Sequence, residues 1–187
     1  LPFGTNAFDK NFDVLSLACE KIWEENIFII TSTGNLGANE CSITSPGASP
    51  HAFTVAAMEI SEGIAKPLQV SGRGPTINNI EKPDCIMPGK DIAALNCDTA
   101  YLPQGRSSYM SNTLPVLYTT ISGTSAAACL AAGDAALLYQ KLNTLTPDTA
   151  KSILKKCCVS VNLLKPVQGS GIINVKYIED ISSPEHT

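Results

Sequence analysis

From Ile27 to Thr33 the chain is apolar or β-branched at every position except Ser32. A strand with one face in water alternates polar and apolar residues. A run without that alternation is covered on both faces, as in a parallel sheet flanked by helices. The run follows directly on a helical repeat. Phe8, Phe12, Leu15, Cys19, Ile22 and Trp23 recur at helical spacing, with Asp13, Glu20, Lys21 and Glu24 opposite, which predicts an amphipathic helix over about residues 9–25. Phe53 to Met58 reads as a second buried strand, Asp91 to Leu95 as a shorter one, and Leu117 to Ile121 as a strand leading into an Ala-rich helix over about residues 124–142. Thr146-Pro147-Asp148 predicts a further helix, capped by Thr146 with Pro147 in its first turn and Ala150, Ile153, Leu154 and Cys157 as its buried stripe. Ile172 to Val175 reads as a last short strand.

Strands alternating with helices predict an α/β fold, three αβα layers around a mostly parallel sheet. One domain is expected over residues 1–181, interrupted by a polar, Pro/Gly/Ser-rich surface loop at about 97–116 and followed by a polar tail at 182–187. With 44% hydrophobic and 16% charged residues, the chain can build a substantial core. A net charge of −4 with no Lys/Arg run gives no basis for nucleic-acid binding. The longest apolar stretch, Ser125 to Leu138, is too short to span a membrane and is broken by Gly133 and Asp134. Seven cysteines form no CxxC pair, so neither a zinc site nor a compact disulfide framework is expected; their apolar settings lean towards a reducing environment. Asp98, Glu59 and Glu62 are not spaced as calcium ligands, and nothing in the sequence calls for a cofactor.

The chemistry centres on Ile121-Ser-Gly-Thr-Ser125-Ala-Ala-Ala-Cys-Leu-Ala-Ala-Gly133, with a strand before it and a helix after it. A serine in the first turn of a helix lies beside unpaired backbone N–H groups and the positive end of the helix dipole, which can stabilise an oxyanion formed on its attack at a carbonyl. From the local pattern alone, a simple helix cap and a nucleophile are both open readings.

This segment resembles the nucleophile signature of the subtilisin-like serine proteases, Gly-Thr-Ser-Met-Ala-x-Pro-His-Val-Ala-Gly, matching at Gly123, Thr124, Ser125, Ala127, Ala132 and Gly133 and departing at Ala126, Cys129 and Leu130. Three more matches follow family order. Thr31-Ser-Thr-Gly-Asn35-Leu-Gly37 resembles Ala-Ala-Gly-Asn-x-Gly. Ser71-Gly-Arg-Gly-Pro75 with Lys82-Pro-Asp-Cys-Ile-Met-Pro-Gly89 resembles Ser-Ser-x-Gly-Pro and Lys-Pro-Asp-x-x-Ala-Pro-Gly. Gln168-Gly-Ser-Gly-Ile-Ile-Asn-Val175 resembles the closing Gly-x-Gly-x-(I/L)-Asn-Val.

The resemblance implies the C-terminal half of a catalytic domain, with Ser125 as nucleophile and Asn35 as side-chain donor to the oxyanion. It places Leu1, Pro2, Phe3 and Gly4 along an extended peptide or protein substrate. Pro2 has no N–H, so one backbone bond usual in the family is missing. Ser32, Thr33, Gly34, Leu36 and Thr44 fall at the primary specificity pocket, where uncharged Leu36 and Thr44 imply medium-sized apolar side chains rather than basic ones. Ser45–Pro46 falls where relatives carry a cis peptide.

The family triad runs Asp, His, Ser along the chain, and the resemblance implies that the first two lie well before the Asn35 segment, where there is no sequence here to hold them. His51 enters a strand, His186 lies in the tail, Asp84 belongs to the Lys-Pro-Asp turn, and Asp134 is more than two turns beyond Ser125. A serine hydroxyl without a base is a poor nucleophile near neutral pH, so the chain alone is expected to be inactive. The resemblance implies an N-terminal portion of the same protease supplying Asp and His; the alternative is a non-catalytic relative acting as a binding or regulatory module.

Overall fold

The amphipathic repeat folds as α1 (Val14–Glu24), and the run after it as β1 (Ile30–Ser32). The computed structural model describes residues 1–7, 13–95 and 118–181, so the expected loop at about 97–116, the tail at 182–187, and the start of the predicted first helix lie outside the described residues. Then come β2 (Phe53–Ser61), β3 (Ile64–Pro67), β4 (Cys85–Pro88), β5 (Ile92–Leu95) and β6 (Tyr118–Ile121). The C-terminal part adds α2 (Thr124–Lys141), α3 (Pro147–Lys156), β7 (Cys158–Val159), α4 (Lys165–Gln168), β8 (Ile172–Ile173) and α5 (Val175–Glu179).

β2 is the spine. It pairs in parallel with β1 (Ile30 opposite Phe53) and with β4 (Val55 opposite Cys85), and its far end turns back through Glu62-Gly63 to pair antiparallel with β3. Side chains alternate across a strand, and both faces of β2 are covered, as the unbroken apolar run requires. Phe53, Val55 and Ala57 meet Ala127, Ala131, Ala135 and Leu138 of α2, with Leu154 of α3 and Ile178 of α5 behind them. On the opposite face Ala52 packs with Cys19 and Trp23 of α1, while Ala56 and Met58 pack with Val161, Leu163 and Val167. The result is helix, mixed and mostly parallel sheet, helix: an α/β fold.

Two expectations need correction. The strands at 92–95 and 118–121 do not extend the main sheet; they pair antiparallel with each other as a separate ribbon. The segment at 172–175 is a strand only at Ile172 and Ile173, and that strand likewise lies outside the main sheet. Ile172 and Ile173 pair with Cys158 and Val159, and Val175 already begins α5. Short apolar runs carry no record of their partner, which is why periodicity misplaced them. Thr146 caps α3 as expected, its Oγ1 accepting the Thr149 N–H at 3.3 Å. No helix among the described residues is long and apolar enough to cross a membrane.

Candidate active site

The turn between β6 and α2 carries the site. The Gly123 N–H donates to the Gly89 carbonyl at 2.7 Å, which seats the head of α2 just beyond the end of β4. Gly123 has φ 135, and a Cβ there would lie 3.2 Å from Asn35 Nδ2 and 3.3 Å from its Oδ1. Only glycine suits both the backbone and this close approach. Ser125 follows as the second residue of α2, among first-turn amides that have no acceptor within the helix.

Asn35 arrives from the loop after β1. Its Oδ1 accepts both the Thr124 N–H and the Thr124 hydroxyl, each at 3.0 Å. The carboxamide is thereby tied to the first residue of α2, next to Ser125. With Oδ1 occupied, Nδ2 is the donor the residue has left to offer, and it has no hydrogen-bond partner among the described residues. The Ser125 hydroxyl points outward and donates to the Pro2 carbonyl at 2.7 Å.

A cleft of about 510 Å³ runs between these groups. Ser125, Asn35, Pro2, Phe3, Gly4, Ser32, Gly34, Leu36 and Thr44 line it, so most positions singled out from the sequence meet in one place. Two do not line it. Leu1 borders a neighbouring apolar hollow of about 360 Å³ along α2, with Phe28 and Cys129. The Thr33 side chain is buried beside Ser71 Oγ at 3.4 Å; only its carbonyl faces Thr44, accepting that residue's N–H at 3.0 Å. Thr44 stands between the two walls, since a Cβ built on Gly34 (φ 86) would overlap both its Oγ1 and its Cγ2, and one on Gly4 would overlap its Oγ1.

Thr5 and Asn6 also line the cleft and were not anticipated; as polar residues next to Gly4 they give no sequence signal beyond that position. No carboxylate or imidazole lines it among the described residues. His51 packs against Trp23, ring centroids 6.4 Å apart. Asp84 is enclosed by lysines, 2.6 Å from Lys82 Nζ. Asp134 keeps a buried Oδ2 without a hydrogen-bond partner, and burial pushes its pKa up. Glu59 is paired with Lys90 at 2.7 Å, and among the described residues no group of His, Cys, Asp or Glu is arranged to hold a metal ion. The Ser45–Pro46 peptide is cis.

A substrate carbonyl in this cleft could be attacked by Ser125 Oγ while Asn35 Nδ2 and a first-turn amide of α2 receive the developing oxyanion.

The sequence profile of the subtilase family matches residues 3–171. Serine protease AprX of Bacillus subtilis is 33% identical over 169 residues, covering 88% of this chain and 38% of that protein. Among solved structures, the S41 psychrophilic protease superposes with a TM-score of 0.70 at 26% identity, over 92% of this chain and 55% of that one. Fervidolysin from Fervidobacterium pennivorans, a keratinolytic enzyme related to subtilisin, superposes with a TM-score of 0.71 at 20% identity, over 97% of this chain and 26% of that one, a likeness of fold. The chain thus spans well under two thirds of the length of these relatives.

Proposed function

The chain belongs to the subtilase family, and on that premise we propose that it is the nucleophile-bearing part of a serine endopeptidase acting through an acyl-enzyme. Ser125 is the nucleophile, and Asn35 Nδ2 with the Ser125 N–H receives the oxyanion. The observation that carries this reading is the pair of bonds from Thr124 to Asn35 Oδ1. A residue that merely closes a turn has no need to be clamped by one end against the residue preceding the serine.

The hydroxyl still needs a base, because a serine bonded only to a peptide carbonyl keeps its proton. An N-terminal portion of the same protease would bring the histidine and aspartate, and the histidine would draw the Ser125 proton away from Pro2. The cleft walls support the substrate preference. A Lys or Arg side chain would enter a site whose described lining includes no carboxylate, so its charge would be desolvated without a partner. Thr44 takes up the space between Gly4 and Gly34, which favours small to medium apolar side chains before the scissile bond.

A fluorophosphonate probe tests the assignment. It should label Ser125 in the full-length protein, fail to label Ser125→Ala, and leave this chain alone unlabelled. Absence of labelling in the full-length protein would replace the protease reading with that of a non-catalytic relative.

A further inference from the structure

Ser45 follows Thr44 and is fully buried, and its hydroxyl donates to Asp13 Oδ1 at 2.6 Å. The same oxygen accepts the Ser16 N–H at 3.1 Å and so caps α1. Capping does not account for the setting of Asp13. Serine, threonine or asparagine caps as well from the surface, whereas Asp13 is 3% exposed, and a carboxylate is costly to bury unless its bonds serve a purpose. A hydroxyl bonded to a carboxylate is held more strongly than one bonded to a neutral acceptor.

Ser45 is where the two walls of the cleft are joined. Its N–H donates to the Thr5 carbonyl and its carbonyl accepts the Thr5 N–H, both at 2.9 Å, which fixes the wall formed by residues 2–6. One residue earlier, the Thr44 N–H and hydroxyl both reach the Thr33 carbonyl, at 3.0 and 3.3 Å, which fixes the opposite wall. The Thr44-Ser45 pair is a strut across the cleft, and Asp13 anchors it from beneath.

We infer that Asp13, acting through Ser45, is a positioning residue that sets the width of the substrate cleft and hence the size of the side chain accepted before the scissile bond. This rests on the protease reading above. A rigid wall separates side chains that differ by one methylene about 10–200-fold; a wall free to shift separates them less.

The test uses the full-length enzyme and peptide p-nitroanilides that differ only in having Ala, Leu or Phe before the scissile bond. In Ser45→Ala and in Asp13→Ser the spread of kcat/KM across the three peptides should shrink about tenfold, through KM rather than kcat. The double variant should be no worse than either single one. Asp13→Ser keeps a capping side chain on α1, so a role confined to capping predicts unchanged selectivity, and that result in either variant would overturn the proposal. Asp13→Asn keeps an acceptor for both bonds, but a neutral and weaker one, and should give a spread between those of Asp13→Ser and the wild type; a spread no wider than that of Asp13→Ser would count equally against the strut. If the wild-type enzyme cleaves none of the peptides, the protease reading fails, and the strut is judged by hydrogen exchange in the same protein. Ser45→Ala should then speed exchange of the Thr5 and Ser45 amides at least tenfold relative to β2, and equal exchange would refute it.

Discussion

At the scale of single residues, Asn35 illustrates how much a side chain's far end matters. Its Oδ1 is engaged by Thr124, so replacing it with alanine removes both a donor and a tether. On the proposed protease reading, Asn35→Ala in the full-length protein should lower kcat by about 10²–10³ with little change in KM, the loss known for a subtilisin deprived of its side-chain donor; steady-state kinetics on one peptide checks it. Thr44→Gly removes the hydroxyl and methyl that stand between Gly4 and Gly34. It should raise kcat/KM for a Phe peptide relative to an Ala peptide by about tenfold or more, given the worth of a methylene in a pocket. Ser125 and Asn35 could be singled out in the sequence because their motifs are local, and the fold brings both to one cleft. Asp13 was legible only as a polar member of a helix, because its partner Ser45 lies 32 residues away and no spacing rule links them.

Among the elements, α2 does two jobs. Its head presents Ser125, and its Ala-rich body lets it lie close on β1, β2 and β4 through Ala127, Ala131 and Ala135. Gly133 sits in the interior of this helix, and a Cβ there meets no atom within 4 Å. Gly133→Ala should therefore stabilise the fold by about 0.5–1 kcal/mol, the helix-propensity difference, measurable as a higher urea midpoint. The cap on α3 works in the other direction: Thr146→Ala leaves the Thr149 N–H without its side-chain acceptor and should cost about 1 kcal/mol. The long, strongly patterned elements α1, α2, α3 and β2 were readable, and so was β1, three residues long, because it lies inside the unbroken apolar run from Ile27 to Thr33. β3 and β4 were not. Each has four residues with little apolar run around it, and β4 follows Pro83 and ends on Pro88; both become strands because β2 offers them a partner.

Across the whole molecule, a buried ionic centre joins the sheet to the C-terminal helices. Asp84 Oδ2 accepts the Thr54 N–H at 2.8 Å and Lys82 Nζ at 2.6 Å, while its Oδ1 lies 3.6 Å from both Lys151 and Lys155 of α3. Burial alone would raise the carboxyl's pKa, but Lys82, Lys151 and the hydrogen bonds outweigh it and hold it below the ordinary 3.8. A carboxylate depressed in the folded state adds stability that is complete above its unfolded value. Stability should thus be retained down to about pH 4 and fall below it, where the unfolded chain takes up the proton first, until Asp84 is protonated in the fold as well; urea midpoints between pH 5 and 2 check this. Asp84→Asn leaves Lys82 buried beside a neutral amide and should cost about 3–5 kcal/mol at neutral pH.

The sequence by itself determined the layered α/β fold, the helix that carries Ser125 and the identity of the oxyanion candidate. These depend on period, caps and short motifs, all written within a few neighbouring residues. Only the tertiary structure decided which strands share the main sheet, that the serine and the carboxamide open onto one cleft, and that Asp13 is bonded to Ser45 beside it. Those outcomes come from hydrogen bonds and packing between segments distant in the chain, where geometry selects the partner and no local pattern records it.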